Sequence, residues 1–136
     1  MPELPEVQTT VNGLNKHIRG LTITDVWTDY NSLFQRGKDS IQDPAYFKLF
    51  KKRTVGRKVM SASRLAKNVL ITLDSGDVIL VHMKMTGHLM YGDYDRSDPF
   101  NRFIHLVFTF DNSKTLELSD MRKFAKVTLV QKNHLE

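Results

Sequence analysis

The chain of 136 residues contains no cysteine. Disulfide staples and thiolate-bound zinc are therefore excluded as supports for its fold, and an ordinary apolar core has to serve instead. No apolar stretch reaches the roughly 20 residues that a membrane-spanning helix needs, and the N-terminus lacks the apolar centre of a secretory leader. The expectation is a cytoplasmic protein with no membrane partner. Internal repeats, low-complexity runs and an internal linker are also missing, which points to a single domain over 1–136. Acidic residues are the minority charge. Fifteen Asp plus Glu stand against 20 Lys plus Arg, a net charge of +5 and an isoelectric point near 9.5, which favours a polyanionic partner.

With 40% hydrophobic residues, the chain can bury one substantial core. Val7, Val11, Leu14 and Ile18 recur at spacings of four, three and four, the stripe of an amphipathic helix from about Pro5 to Ile18 that Gly20 stops. Leu21 and Ile23 alternate with Thr22 and Thr24 as a half-buried strand does. The alternation slips at Asp25 and Val26, which predicts a strand that is short or bulged. Residues 30–42 read as a polar loop. Asp43 as N-cap and Pro44 at the first helical position then open a short helix to about Lys52, with Tyr46, Phe47, Leu49 and Phe50 on its apolar side.

From Val55 onward the pattern becomes all-β, with strands expected over 57–64, 68–73, 78–84, 88–91, 103–110, 115–118 and 126–130. The polar stretches 74–77 and 111–113 suit hairpin connections, and 92–101 suits an exposed loop. The fold class is mainly β with flanking helices. Short strands joined in this way fit a sandwich or a barrel, and periodicity does not choose between them.

Chemistry is concentrated at the beginning, Met1-Pro2-Glu3-Leu4-Pro5-Glu6-Val7. Removal of an initiator Met ahead of a small residue would leave Pro2 as a terminal secondary amine. An α-amino group titrates at about 7.7–8.0, so roughly a tenth of it is free base at neutral pH, far more than for an ordinary lysine. A secondary amine that attacks a sugar C1′ gives an iminium with no proton to lose from nitrogen. The positive charge persists and draws electrons from the opened sugar, so that strand-cleaving β-elimination can follow. The N-terminal end of the following helix disfavours an ammonium, and Glu3 stands next door as an acid or base. Read alone, the segment is equally a plain helix start, with Glu3 and Glu6 complementing the dipole.

Residues far downstream bear on that choice. Pro2 to Val7, Thr9-Thr10, Gly13-Leu14, Arg19-Gly20, Thr22-Ile23, Gly56-Arg57, Arg64 to Lys67, His82 to Gly87 and Asp120 to Ala125 together resemble the formamidopyrimidine-DNA glycosylase family, which includes endonuclease VIII. The resemblance covers nearly the whole chain and is closer to the formamidopyrimidine branch. It implies a two-sheet antiparallel β-sandwich with an N-terminal helix and one further short helix, the family's N-terminal catalytic domain. The implied activity is DNA base-excision repair by a bifunctional glycosylase and AP lyase that removes oxidised purines, formamidopyrimidine and 8-oxoguanine, through a proline Schiff base. Double-stranded DNA with oxidised bases or abasic sites is the implied partner, and a monomer is expected.

The resemblance assigns catalysis to Pro2, Glu3 and Lys67, with Lys67 on a backbone phosphate, and assigns DNA binding and filling of the void left by the extruded base to Met85, Arg122 and Phe124. Their chemistry fits those roles: Met is a flexible apolar plug, Phe a flat wedge, and Arg a fork of donors for the orphaned base. Taken singly, Lys67 and Arg122 also read as solvated charges, and Met85 and Phe124 as core. Glu6 and Lys123 are secondary candidates.

Several positions depart from the family's usual residues. Ala66 stands for Gly, Met121 for Pro, Lys123 for Arg and Ala125 for Gly. Lys123 keeps the charge but loses the planar fork, and Ala66 tolerates positive φ poorly. The family's helix-two-turn-helix and zinc-finger modules have no counterpart in these residues, so no cofactor or metal is expected. His82, His88 and His105 lack a recognised ligand spacing. Weak DNA affinity and little turnover are expected of this domain alone, and a non-catalytic damaged-DNA-binding sandwich is the alternative.

Overall fold

A computed structural model describes residues 4–29, 40–83, 87–92, 103–120 and 126–131. Two helices and eight strands follow in the order α1 (Leu4–His17), β1 (Ile23–Thr28), α2 (Pro44–Thr54), β2 (Val59–Leu65), β3 (Asn68–Leu73), β4 (Asp77–His82), β5 (Gly87–Gly92), β6 (Ile104–Phe110), β7 (Thr115–Asp120) and β8 (Lys126–Gln131). The strands form two four-stranded antiparallel sheets, ordered β1-β6-β7-β5 and β2-β3-β4-β8. This is a sandwich rather than a barrel. At one corner the sheets meet through the backbone, where Gly20 N–H donates to Val59 O and Ile23 N–H donates to Arg57 O.

The alternation in β6 and β7 explains why the core lies between the sheets. Leu106, Phe108 and Phe110 with Leu116 and Leu118 point inward, opposite Val69, Ile71, Ile79 and Val81 of the second sheet. The slip at Asp25 is a β-bulge: pairing with β6 shifts between Ile23 and Asp25, and the strand then continues to Thr28. The expected strand over 57–64 starts later, at Val59, because Arg57 bonds back to Thr54 and Ile23. β4 begins at Asp77 rather than Val78, since Asp77 pairs with Gln131, and it ends at His82. α2 runs to Thr54 rather than Lys52.

Each helix closes one side of the sandwich. Val7, Val11 and Leu14 of α1 and Ile18 just beyond it are buried, which contributes roughly 6–12 kcal/mol relative to leaving four such side chains in water. α1 lies against β2, β3 and β5, across the gap between the two sheets. α2 starts as the sequence indicates, with Asp43 accepting from Ala45 N–H at 3.1 Å and Pro44 in its first turn. Phe50 enters the core, and Tyr46 reaches the β8 edge, where Leu129 N–H donates to its hydroxyl at 2.9 Å. Ile41 N–H donates to Val127 O on the same edge. An edge strand that would otherwise invite pairing is thereby covered.

Candidate functional site

The turn between β2 and β3 consists of Ala66 and Lys67, closed by the pair Leu65 and Asn68. Ala66 has φ 52°, while Lys67 is not among the positive-φ residues. One positive φ at the first central position is what a tight primed hairpin turn requires and what glycine normally supplies. Ala66 accepts the strain, and Lys67 is held exposed at the tip.

Two side-chain links fix α1 against this hairpin. Asn15 acts as a one-residue extension of the sheet: Ala62 N–H donates to its Oδ1 at 2.8 Å and its Nδ2 donates to Ala62 O at 2.9 Å. Nearer the helix start, Arg64 Nε donates to Gln8 Oε1 at 3.3 Å, and Arg64 Nη1 donates to Ala66 O at 3.0 Å. Movement from Asn15 back to Gln8 therefore follows β2 forward from Ala62 to Arg64. Leu4, about 6 Å further along the helix axis, begins α1 at the Lys67 end. Leu4 and Leu65 at that end are about half exposed, an apolar rim beside the lysine. Glu6 is exposed in the first turn of α1, where its charge complements the helix dipole.

The sheet registers bring two further segments toward the same end. Asn68 pairs with His82, and His82 with Lys126, so the Lys67 turn, the end of β4 and the start of β8 lie in one row. In the other sheet, Gly87 pairs with Asp120. Segment 84–86 runs from Met83 to Gly87, and segment 121–125 from Asp120 to Lys126. The residues flanking the two segments are thus neighbours in both sheets. Gly87 N–H donates to Met83 O at 3.0 Å, and a Cβ on Gly87 would meet that oxygen at 2.6 Å. The glycine is required by close backbone approach.

Of the residues singled out in the sequence, Lys67 and Glu6 are described, and the structure brings the Lys67 turn to the start of the helix that bears Glu6. Pro2, Glu3, Met85, Arg122, Lys123 and Phe124 lie outside the described residues. Sequence reading missed Gln8, Asn15 and the supporting role of Arg64. The available signal was weak: Gln8 and Asn15 are polar residues seven apart, flanking the apolar stripe of α1. Among the described residues no three His, Asp or Glu groups are close enough to hold a metal ion. His105 is buried, with its Nδ1 2.9 Å from Asp29 Oδ1.

Residues 1–127 match the family model for the formamidopyrimidine-DNA glycosylase N-terminal domain. The formamidopyrimidine-DNA glycosylase of Desulforamulus reducens is 37% identical over 131 residues, covering 96% of this chain and 44% of the relative. That of Pelotomaculum thermopropionicum is 34% identical, covering all of this chain and 46% of the relative. The chain thus spans under half the length of the curated relatives it matches. Among solved structures, wild-type Lactococcus lactis Fpg in complex with DNA containing N7-benzyl-Fapy-dG superposes with a TM-score of 0.82 at 25% identity, over 98% of this chain and 45% of that one.

Proposed function

The chain belongs to the formamidopyrimidine-DNA glycosylase family, matching its N-terminal domain, and from that premise we propose that it is the catalytic domain of a DNA-repair glycosylase with AP lyase activity on oxidised purines. Its partner is double-stranded DNA carrying formamidopyrimidine, 8-oxoguanine or an abasic site. Once Met1 is removed, the Pro2 nitrogen attacks C1′, and the bond from C1′ to the base breaks, the base leaving with a proton. Glu3 assists that proton transfer and the opening of the sugar ring to an iminium. Loss of a C2′ proton then expels the 3′ phosphate, and water hydrolyses the iminium to return the amine. Lys67 holds a backbone phosphate beside the reacting sugar. Met85, Arg122 and Phe124 occupy the gap left in the duplex, with Glu6 and Lys123 in supporting roles.

The observation that carries this proposal is the convergence on one end of the sandwich of the start of α1, the Lys67 turn and the paired residues flanking 84–86 and 121–125. The domain alone turns over slowly and binds DNA weakly. An abasic duplex, which needs no base release, is therefore the sensitive substrate. Borohydride added to protein and abasic duplex should trap a covalent adduct, and prior acetylation of the terminal amine should abolish it. Binding without any adduct would instead make the domain a non-catalytic damaged-DNA-binding module.

A further inference from the structure

Positive charge is also concentrated in one segment away from the Lys67 end. Residues 44–58, which are α2 and its exit, contain six Lys or Arg and no Asp or Glu, leaving 14 basic against 15 acidic residues in the rest of the chain. Lys48, Lys51, Lys52, Arg57 and Lys58 are exposed, and Arg53 is half-buried. Lys51 pairs with Asp25 at 3.2 Å and Arg53 with Asp77 at 2.7 Å, which ties the helix to both sheets. Among the described residues, Lys48, Lys52, Arg57 and Lys58 form no ion pair.

Basic residues in the last turn of a helix are expected from its dipole. That accounts for Lys51, Lys52 and Arg53, but Arg57 and Lys58 lie beyond the helix and Lys48 before its last turn. An open groove of about 800 Å³ runs between α2 and the β3–β4 hairpin, lined by Leu49, Lys52, Arg53, Arg57, Asp77 and Gln131 among others. Lys48 stands one turn from Lys52 on the same helix face. Among the described residues, the one carboxylate lining the groove is Asp77, already paired with Arg53, and Asp25 is paired with Lys51. The groove keeps a positive balance.

Asp77 begins β4 and His82 ends it, so the groove and the Lys67 end are separated by five strand steps, about 17 Å, at opposite ends of one sheet. A small anion needs convergent, buried donors, whereas charges spread over a helix face and the segment after it match the repeating phosphates of a polyanion.

We infer that this groove is a second docking surface for the phosphate backbone of duplex DNA, distinct from the end at which the proposed chemistry occurs. It engages a separate stretch of duplex without regard to sequence and raises the local concentration of DNA around the domain. The inference does not depend on Pro2 acting as a nucleophile.

The test measures binding of an unmodified 20-base-pair duplex to the chain across a series of salt concentrations. The triple variant Lys48→Gln, Lys52→Gln, Arg57→Gln is compared with a matched triple outside the groove, Lys16→Gln, Arg19→Gln, Lys114→Gln. The groove triple should reduce the salt slope by about 2 and the low-salt affinity roughly tenfold or more. The matched triple should change both much less, and both variants should melt as the parent does, since all six side chains are exposed. Equal losses in the two triples would reduce the effect to net charge and overturn the inference. So would an unchanged slope in the groove triple, no duplex binding by the parent chain, or equally tight binding of polyglutamate. Borohydride trapping of an abasic duplex at saturating DNA should be unaltered in the groove triple, which separates failure here from failure at the N-terminus.

Discussion

Ala66 is the residue at which local conformation and function meet most directly. Its left-handed backbone costs an L-residue on the order of 1 kcal/mol, and it does so in the turn that presents Lys67. Ala66→Gly should therefore stabilise the domain by about 0.5–1 kcal/mol in denaturant unfolding, and a loss of stability would contradict the strain assigned to this turn. Gly87 is the opposite case. An added methyl would meet the Met83 carbonyl oxygen at 2.6 Å, so Gly87→Ala should cost about 2 kcal/mol in the same measurement. The departure from glycine at 66 was legible in the sequence, because the family resemblance supplied a contrast. The need for glycine at 87 was not, because it arises from backbone approach across five residues and leaves no mark on composition.

At the scale of elements, both helices are fastened to the strands by polar side chains. Asn15 satisfies both backbone groups of Ala62. Asn15→Ala should cost about 1–2 kcal/mol and loosen the last turn of α1 against β2, seen as faster amide exchange in both. Tyr46→Phe should remove the acceptor for Leu129 N–H, cost about 1 kcal/mol, and open the β8 edge to pairing with other chains, detectable as concentration-dependent association. Helix and strand identities were readable from period and caps. The Val7, Val11, Leu14 and Ile18 stripe is buried as spaced, and the Asp43 cap forms. Even the slip at Asp25 marked a real bulge. What eluded sequence reading was which polar residue touches which edge, since Asn15 and Ala62 are 47 positions apart and nothing local couples them.

For the whole molecule, sheet order is the property that periodicity cannot supply. Alternation in each strand fits a barrel and a sandwich equally, and the choice is made by pairings such as β1 with β6 and β4 with β8 that join residues distant in the chain. Those pairings also gather the start of α1, the Lys67 turn and the flanks of 84–86 and 121–125 at one end, and leave the basic groove at the other. The net charge of +5 pointed to a polyanion from composition alone, but the distance between the basic run 44–58 and the Lys67 turn emerges only from the fold. The central claim, that the terminal amine is the nucleophile, is tested most directly by locating the covalent bond. Protein lacking Met1 is trapped with borohydride on an abasic duplex, digested and sequenced by tandem mass spectrometry. The sugar remnant should map to the nitrogen of Pro2, whereas an adduct confined to Lys67 or another lysine would contradict the account.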